Sequence, residues 1–513
     1  MVSVRMLPVG GQAFLLETGS LDDVLALHTG LEASRPDGVV DLVPAARTVL
    51  VRVDPRVMPL PAARAWAAGV AAEPPTPQAA DAREVVLDVA YDGADLADAA
   101  DLLGMAPAEL VRRHAAVRWT VAFTGFAPGF GYLVSEDWPF DVPRLSTPRT
   151  RVPAGSVGLA AGFSGAYPRE TPGGWRLIGR TDASLFDADA ASPALLAPGT
   201  RVRFRGAEML AAPPVPAVPP APAAAGIEIV EAGLLATLQD LGRPGSGALG
   251  VASSGALDRS ALRTANRLLG NDEGAAAIEA TMGGVRAVAR RDLWFAVTGA
   301  WGPVRLDGRE VDPYEAHPWP AGAELHLDWF AHGARAYLAV RGGFVGRAAL
   351  GSLATDVMAG LGPAPLRAGD ELGVGDAASV PIPVASLAPW GAPHDDEIVL
   401  ELAPGPRADW FGPDAAATLF ESVWTVSNDA DRVGARLDGP ELARIRTDEL
   451  PSEGMVPGAL QVPPNGRPTI LLADGPVTGG YPVIAVVTDA SLDRVAQARP
   501  GTRIRFRHAR PSE

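Results

Sequence analysis

Short apolar runs separated by turn residues fill most of the chain, and only a few stretches show helical spacing. Near the start, the runs VRMLPVG and QAFLLE predict strands, and a helical pattern follows over Leu21–Leu31. The segment VVDLVPAARTVLVRV predicts further strands before a second helix over Pro61–Glu73, which opens on proline. Two helices among short antiparallel strands predict a small α+β domain over residues 1–82.

Residues 83–210 have the pattern of a β-rich domain with two short helices. A strong strand is predicted at Arg83–Tyr91, and helical patterns follow at Asp95–Leu103 and Pro107–His114. From Val117 to Arg205, short apolar runs alternate with Gly and Pro turns. This spacing of turn signals is typical of an all-β barrel or sandwich.

A Pro/Ala stretch, AAPPVPAVPPAPAAAG at 211–226, divides the chain into two halves. Its composition is typical of a semi-rigid, extended linker. The second half returns to short strands, with helices predicted at Asp258–Gly270 and Pro413–Glu421. A weaker joint separates residues 227–385 from 386–513.

The stretch from Ala236 to Asn271 concentrates polar side chains in a glycine-rich loop that leads into an amphipathic helix. Asp258 stands at the N-cap position of that helix, and Gly270 is a stop signal. Glycines before a helix let backbone N–H groups approach an anion, and the helix N-terminus favours negative charge. Taken alone, the pattern favours an ordinary surface loop.

Four motifs recur in the same order in the two halves. VPAG, SGAYP, TDASL and PGTRVRFR between 152 and 205 match VPGA, TGGYP, TDASL and PGTRIRFR between 456 and 507. Such ordered self-similarity is the signature of duplicated units. The sequence therefore predicts two copies of one β unit, with SGAYP corresponding to TGGYP.

Composition excludes several kinds of chemistry. The net charge of −16 disfavours nucleic acid and anionic membrane surfaces as partners. The absence of Cys removes disulfides, thiolate nucleophiles and Cys-bound metals. All 44 Lys and Arg residues are Arg, which removes Schiff-base chemistry, a Walker A lysine and covalent biotin in this chain. With no signal-peptide or membrane-spanning pattern, we expect a cytoplasmic protein.

Long motifs in both halves resemble two known families. FTGFAPGFGYL, TPRTRVPAGSVG and ETPGGWRLIGRTDASLFD are similar to the KipI-type family, also called allophanate hydrolase subunit 1 and the B subunit of 5-oxoprolinase. ATLQDLGRPG, SSGALDRSALRTANRLLGNDEGAAAIEATMGG, DRVGARLDGPEL and SEGMVPGALQVPP resemble the KipA-type family, called allophanate hydrolase subunit 2 and the C subunit of 5-oxoprolinase. The resemblance implies a fusion joined at 211–226. Its implied fold is mainly β, with cyclophilin-like β barrels in tandem at 83–210, 227–385 and 386–513.

The resemblance also implies an activity. The chain would be the fused B and C subunits of an ATP-dependent 5-oxoprolinase. Together with the separate A subunit, of the LamB/YcsF type, it would open the lactam 5-oxoproline to L-glutamate, using ATP with Mg²⁺. One alternative is the carboxyltransferase-like component of a urea carboxylase or urea amidolyase, with biotin on a separate carrier. Another is a KipI-type regulator of a sensor histidine kinase. The oligomeric state, including a homo-oligomer, stays open.

Activating a lactam with ATP requires donors for phosphate and for the substrate carboxylate, together with a base or a metal-binding carboxylate. Arg243 is the candidate anion clamp, and Asp240 is the candidate base or Mg²⁺ ligand. Ser254 and Gly255 are candidate donors to an oxyanion. A salt bridge between Asp240 and Arg243 is the structural alternative. Glu279 is predicted to face inward from a strand, where a carboxylate requires a partner.

The other candidates are assigned to substrate or nucleotide binding. In the first half they are an anion nest around Pro153–Ser156 and a histidine at a helix end. In the second half they include the TGGY turn, which would face SGAY across a pseudo-symmetric cleft. No metal cluster is expected. Phe163 stands where the family usually has Gln, which removes an amide donor. The binding candidates are Gln239, Asp258, Asn266, Asp474, Thr478, Gly479, Gly480, Tyr481, Arg149, Gly155, Ser156 and His114.

Overall fold

The structure is a computed structural model that describes residues 4–73, 83–208, 225–376, 380–383, 391–394 and 396–510. The predicted linker at 211–226 lies outside the described residues except at its end. There the prediction is wrong, because Ala225 and Gly226 already belong to a strand. The predicted fold class, mainly β with barrels in tandem after a small α+β unit, is confirmed. No helix in the described part of the chain is long and apolar enough to cross a membrane.

Residues 4–73, called here the N-terminal sandwich, form a four-stranded antiparallel sheet in the order β1–β2–β4–β3. Phe14 and Leu16 pack against the two helices of this unit. Ala13 and Leu15 pack on the opposite side, against apolar residues between Met455 and Val486. Both faces of the sheet are therefore buried, which explains why its strands are continuous apolar runs. The elements are β1 (Arg5–Val9), β2 (Ala13–Glu17), α1 (Leu21–Ala33), β3 (Val39–Pro44), β4 (Thr48–Val53) and α2 (Leu60–Ala72).

Residues 83–208, the first barrel, form a seven-stranded sheet in the order β12–β9–β10–β7–β6–β13–β5. A bridge between Ala90 and Arg180 joins its two edges. A two-stranded ribbon, β8–β11, projects from the sheet. The elements are β5 (Glu84–Val89), α3 (Leu96–Leu102), α4 (Pro107–Ala116), β6 (Trp119–Thr124), β7 (Gly131–Val134), β8 (Arg149–Val152), β9 (Ser156–Ala160), β10 (Phe163–Ala166), β11 (Thr171–Gly173), β12 (Arg176–Arg180) and β13 (Arg201–Gly206).

Residues 225–376, the central region, form a seven-stranded and a five-stranded sheet around one apolar core. Helix α5 packs on the five-stranded sheet. The elements are β14 (Ala225–Ala232), β15 (Leu235–Gln239), α5 (Arg259–Leu268), β16 (Ala277–Thr281), β17 (Val285–Ala289), β18 (Leu293–Trp301), β19 (Val304–Leu306), β20 (Arg309–Val311), β21 (His317–Trp319), β22 (Glu324–Leu327), β23 (His332–Val340), β24 (Phe344–Val345) and β25 (Glu371–Val374).

Residues 396–510, the C-terminal barrel, form a closed barrel in the order β26–β33–β30–β31–β28–β27–β34, with a ribbon β29–β32. Its outer face packs on the N-terminal sandwich through one shared apolar cluster. The elements are β26 (Glu397–Pro404), α6 (Pro413–Glu421), β27 (Trp424–Val426), β28 (Gly434–Asp438), β29 (Glu453–Gly454), β30 (Ala459–Gln461), β31 (Thr469–Leu471), β32 (Thr478–Gly479), β33 (Val483–Val487), α7 (Asp489–Gln497) and β34 (Arg503–His508).

The strand orders confirm the predicted duplication. Reading from the first strand of each unit, β5–β13–β6–β7–β10–β9–β12 and β26–β34–β27–β28–β31–β30–β33 are the same path. In both units the strand that comes last in the sequence pairs in parallel with the first strand, β13 with β5 and β34 with β26. A buried Trp begins the third strand of each path and donates to the preceding helix, from Trp119 Nε1 to His114 O at 3.2 Å and from Trp424 Nε1 to Leu419 O at 3.1 Å.

One part of the predicted alignment is wrong. Ser164 lies in the barrel strand β10, whereas Thr478 lies in the ribbon strand β32. The counterpart of β32 is the ribbon strand β11, which contains Thr171. TPGGW therefore corresponds to TGGYP, since each is the ribbon strand that leads into the last barrel strand before TDASL. The short Gly–aromatic resemblance of SGAYP to TGGYP misled the sequence comparison.

Helix α7 was not predicted. In the C-terminal barrel, TDASL opens this helix, with Thr488 at its N-cap. In the first barrel the same five residues form no helix. The two copies differ in the residues that follow, DRVAQ in the C-terminal barrel and FDADA in the first barrel, and Arg and Gln favour a helix interior more than Asp does.

Candidate functional site

The loop between β15 and α5 folds back on itself, and two glycines permit the crossing. Gly242 and Gly255 both have a left-handed backbone. A Cβ on Gly242 would lie 2.4 Å from Ser253 O, and a Cβ on Gly255 would lie 2.7 Å from Gly242 N. Arg243 N donates to Ser253 O at 2.7 Å across the crossing. The glycines here serve close backbone packing.

The same loop contacts the other parts of the chain. Thr124 Oγ1 of the first barrel donates to Ala248 O at 2.6 Å. Gly247 N donates to Asp41 Oδ1 of the N-terminal sandwich at 3.1 Å. Ser254 Oγ donates to a carboxylate of the C-terminal barrel. The loop, called here the wedge loop, is therefore one of the places where the halves meet.

A buried arginine, Arg432, joins the loop to both parts of the second half. Its Nη1 donates to Glu279 Oε1 at 2.6 Å, its Nε to Asp474 Oδ2 at 2.8 Å, and its Nη2 to Gly255 O at 2.7 Å. Ser254 Oγ donates to Asp474 Oδ1 at 2.6 Å. Burial alone would lower the pKa of Arg432, but the two carboxylates raise it above its ordinary value. This arrangement is called here the Arg432 hub.

Glu279 faces inward from β16, as predicted, and finds its partners there. Besides Arg432, it accepts from Tyr337 OH at 2.7 Å and from Leu257 N at 3.1 Å. Burial would raise the pKa of Glu279, but Arg432 and Arg335 outweigh burial and lower it. Glu279 is therefore an ionised carboxylate whose hydrogen-bonding capacity is already used.

Asp258 caps α5, as the sequence predicts, by accepting from Ala261 N at 2.9 Å. Its other oxygen accepts from Gln497 Nε2 at 2.7 Å, which ties the helix start to the C-terminal barrel. Burial, with Asp493 nearby, raises the pKa of Asp258 to about 7. Asp258 therefore caps α5 and also links the central region to the C-terminal barrel.

Arg243 is a buried cation, only 2% exposed. Its Nε donates to Ala349 O at 3.2 Å and its Nη2 to Ala354 O, whereas its Nη1 has no partner. Among the described residues no carboxylate forms an ion pair with it; Asp356 is its strongest electrostatic neighbour. Burial lowers the pKa of Arg243, and burial together with Asp474 raises the pKa of Asp356 to about 6. A free donor on a buried guanidinium suits an anionic oxygen.

Asp240 does not pair with Arg243. Its Oδ1 accepts from Gly242 N and from Ser352 Oγ, each at 2.7 Å, and its Oδ2 accepts from Leu353 N at 2.7 Å. The alternative salt bridge is therefore absent. Asp240 instead fastens the loop to segment 349–362, and its role as base or metal ligand stays a prediction.

Two further atoms near Arg243 are buried and lack a partner. Gln239 Nε2 donates to Thr237 Oγ1 at 3.0 Å and to Thr355 O at 2.9 Å, but Gln239 Oε1 is free. Thr355 Oγ1 is also free. Each of these atoms can form a hydrogen bond with a water or with a polar group of a ligand. The walls of the site on this side are β15 and segment 349–362.

The predicted anion nest of the first half is not formed. Gly155 N donates to Tyr167 O at 2.7 Å, and Ser156 N donates to Pro153 O at 3.3 Å. Neither amide is available to an anion. Arg149 Nη2 donates to Asp95 Oδ1 at 2.6 Å, which leaves its Nη1 without a partner.

His114 lies inside the first barrel, fully buried, and caps no helix end with its ring. Its Nδ1 pairs with Tyr91 OH and its Nε2 with Ser164 Oγ, each at 2.8 Å. The ring stacks on Phe204 with centroids 4.4 Å apart. A side chain in this position cannot touch a ligand at the surface, so the structure separates it from the predicted binding set.

Two other groups of candidates also lie away from the Arg432 hub. Asn266 is buried and donates to Ala275 O at 2.8 Å, which pins the chain after α5. In the TGGY turn, Gly479 and Gly480 link buried Thr478 to exposed Tyr481. Gly125 packs so closely on Thr478 that a Cβ there would lie 1.9 Å from Thr478 Oγ1. The turn therefore packs against the loop of the first barrel that contains Gly125.

Sequence reasoning missed Arg432, Arg335 and Asp356. Arg432 lies in DRVGARLDGPEL, a motif that carried the family resemblance. A single sequence does not show which of its many arginines is buried, because burial depends on strands that are far apart in the sequence and pair in the fold. The signal available was the carboxylate of Glu279, which required a cationic partner.

A small cavity lies beside the wedge loop. It has a volume of about 30 Å³ and is lined by residues that include Asp41, Arg52 and Ser253. That volume holds about two waters. Among the described residues, no three His, Asp or Glu side chains gather as a metal site would require.

Comparison with known families identifies the chain. The model of the carboxyltransferase domain, subdomain A and B, matches residues 249–508, and that of subdomain C and D matches residues 4–196. The chain belongs to the carboxyltransferase-domain family. The resemblance to both 5-oxoprolinase subunits, inferred from the motifs, is also confirmed.

Relatives match each half of the chain. The C subunit of 5-oxoprolinase from Escherichia coli (strain K12) is 38% identical over 285 residues, which are 55% of this chain and 90% of the relative. The B subunit of 5-oxoprolinase from Escherichia coli O157:H7 is 41% identical over 175 residues, which are 32% of this chain and 77% of the relative. Urea amidolyase of Saccharomyces cerevisiae is 31% identical over 305 residues, but these are only 16% of that protein. The crystal structure of TTHA0988 is 36% identical, covers 98% of this chain and all of that chain, and has a TM-score of 0.86.

Replacing Arg432 tests the hub. In the variant Arg432→Met, Glu279 and Asp474 lose their cation while they stay buried, so we expect stability to fall by about 3–5 kcal/mol. Urea unfolding of the full chain measures the loss. Exposed Arg436→Met, four residues away, is the matched control. Equal midpoints for the two variants would contradict the hub.

Acidification tests the environment of His114. Burial lowers the pKa of His114 from 6.5 to about 3, so the folded ring stays neutral while the unfolded chain binds a proton below pH 6.5. His114 therefore costs the wild type about 2 kcal/mol of stability at about pH 5 relative to neutral pH. We expect His114→Gln to lose less stability on acidification than the wild type, measured by urea unfolding at both pH values. An equally steep loss would count against a neutral, buried ring.

Proposed function

We propose that the chain is the fused B and C component of an ATP-dependent 5-oxoprolinase-type enzyme. With a LamB/YcsF-type subunit, it would open 5-oxoproline to L-glutamate. One observation carries the proposal: a single polypeptide matches most of the length of both a B and a C subunit of 5-oxoprolinase, at 41% and 38% identity. The contacts between the halves on the wedge loop support a shared site.

The site fits the binding of an anion. Opening an unstrained lactam is uphill, and ATP would supply a phosphoryl group that makes the ring carbon electrophilic. Arg243, with its free Nη1, would hold a phosphate or carboxylate oxygen. Gln239 and Thr355 would supply the neighbouring polar contacts. We place nucleotide binding where the halves meet or against the partner subunit.

A carboxyltransferase role in a urea amidolyase-type system is the second candidate. Its support is the match to urea amidolyase over 55% of this chain. The identity there is 31%, lower than to the 5-oxoprolinase subunits, and this chain would supply only a small part of such an enzyme. Transfer of carboxyl from a biotinylated carrier to urea would favour this candidate.

A coupled ATPase assay decides between the two. The chain is assayed against 5-oxoproline, other lactams and urea, with and without a LamB/YcsF-type protein. We expect ATP turnover, with formation of glutamate, only when 5-oxoproline and the partner are both present. Ring opening without ATP, or urea-dependent turnover alone, would overturn the proposal.

Arg243 provides the residue-level prediction. Replacing it with Met removes the free donor, so we expect turnover of 5-oxoproline at low substrate concentration to fall by more than about tenfold. Two carbonyls also lose a donor, which costs about 1–3 kcal/mol of stability. Steady-state kinetics separate kcat from KM, and thermal unfolding measures the structural part. Exposed Arg309→Met in the same region is the control. A stability loss with unchanged kinetics would make Arg243 purely structural.

A further inference from the structure

A tight turn in segment 349–362 holds a buried carboxylate beneath an exposed tip. Asp356 N donates to Leu361 O at 2.9 Å, and Leu361 N donates back to Asp356 O at 3.2 Å, so these two residues close the turn. At the tip Val357 and Met358 are exposed, whereas Asp356 is only 1% exposed. Asp356 therefore lies at the base of the turn, on the side of the protein interior.

Three carboxylates act on the buried cation Arg243, and they differ in how their oxygens are used. Both oxygens of Asp240 and both oxygens of Asp474 accept hydrogen bonds. Asp356 Oδ1 accepts from Ala359 N at 2.8 Å. Asp356 Oδ2 accepts from no described residue, and it is not fully enclosed. Of the three, Asp356 alone keeps an oxygen available to a ligand.

Asp356 and Arg243 are buried opposite charges that do not touch. Arg243 packs against both ends of the turn, since its Nη2 donates to Ala354 O and a Cβ on Gly362 would lie 3.3 Å from the same nitrogen. Each charge attracts the other, yet these two described residues form no ion pair. Buried charges that are not paired are costly. A ligand with an acceptor for Arg243 and a donor for Asp356 would satisfy both.

The surroundings of Asp356 suit a proton acceptor at neutral pH. Burial and the negative charge of Asp474 raise the pKa of Asp356 to about 6. The hydrogen bond from Ala359 N and the positive charges of Arg243 and Arg432 oppose this rise. A general base works best when its pKa is close to the operating pH. At pH 7 Asp356 is therefore mostly ionised and is more basic than an exposed aspartate.

The free atoms around Arg243 indicate the kind of ligand. Arg243 Nη1 is a free donor, whereas Gln239 Oε1 and Asp356 Oδ2 are free acceptors. The amide edge of a lactam has a carbonyl oxygen and an N–H group on the same side, and urea has the same two groups. A cation for the oxygen and a carboxylate for the N–H are the groups that would activate such an amide.

We propose that Asp356 is the catalytic base that takes the proton from the amide nitrogen of the substrate, while Arg243 holds the amide oxygen. In this step the amide oxygen bonds to the γ-phosphorus of ATP, and ADP leaves with the electrons of the broken P–O bond. The proton moves to Asp356 Oδ2, and the electron pair that it leaves on nitrogen forms a C=N bond in place of C=O. The use of ATP and of 5-oxoproline rests on the proposed function; the free carboxylate oxygen beside Arg243 does not.

Replacing Asp356 with Asn tests the proposal. Asn can still accept from Ala359 N, but it cannot act as the base. With the LamB/YcsF-type subunit present, we expect kcat for 5-oxoproline-dependent ATP turnover to fall by about a hundredfold or more, and KM to change by less than about threefold. Wild-type kcat/KM should fall about tenfold per pH unit below about pH 6, and the residual rate of the variant should lack this dependence.

The matched control is Asp370→Asn, which changes a loop carboxylate that also accepts from one backbone amide, Arg367 N at 2.7 Å. It should keep wild-type kinetics. Thermal unfolding at pH 7.5 measures the structural part. Because burial disfavours the ionised form of Asp356, we expect Asp356→Asn to be at least as stable as the wild type.

The outcomes separate the base from the proposed function. Wild-type kcat in Asp356→Asn, or an equal loss in the control, overturns the base and leaves the proposed function standing. If Asp356→Asn does not fold, the wild-type profile decides, and a kcat/KM that is constant from pH 5 to 7 overturns the base. Turnover with urea instead of 5-oxoproline that requires Asp356 supports the base and refutes the proposed function. Absence of turnover with either amide overturns both.

Discussion

The buried charge of Arg432 is the constraint on which the second half depends. A guanidinium taken out of water must be paired and hydrogen-bonded, and its partners here come from three places along the chain. Glu279 is on a strand of the central region, Gly255 is on the wedge loop, and Asp474 is in the C-terminal barrel. Because no one of these segments can move without exposing or orphaning a charge, the hub sets how the two units meet.

The wedge loop inherits its position from this hub. Held at Gly255 by Arg432 and at Ser254 by Asp474, it reaches back to present Arg243 beside segment 349–362. Its outer turn then contacts the first barrel and the N-terminal sandwich. Arg243, a buried cation with a free donor, therefore lies close to the junction of the halves.

Local patterns predicted what is local, and pairing partners decided the rest. The helix after Ser20, the helix at Pro413–Glu421 and the cap by Asp258 follow from spacing and capping residues, and the structure has them. The duplication was also visible, because it preserves motifs in order. The correspondence of SGAYP with TGGYP failed because a short motif cannot distinguish a barrel strand from a ribbon.

In the candidate site, Glu279 was correctly placed inward, but its partner Arg432 lies 153 residues away. The nest failed because Gly155 N donates to Tyr167 O, twelve residues along the chain, and Ser156 N donates to Pro153 O within the turn itself.

The central claim is that the wedge loop and segment 349–362 form the ligand-binding wall between the halves. Hydrogen–deuterium exchange of the chain mixed with the proposed LamB/YcsF-type subunit, with and without 5-oxoproline and a non-hydrolysable ATP analogue, tests it directly. The account predicts that ligand slows exchange in residues 239–255 and 349–362, while the core of the C-terminal barrel is unchanged. Protection confined to other parts of the chain, with these two segments unaffected, would contradict it.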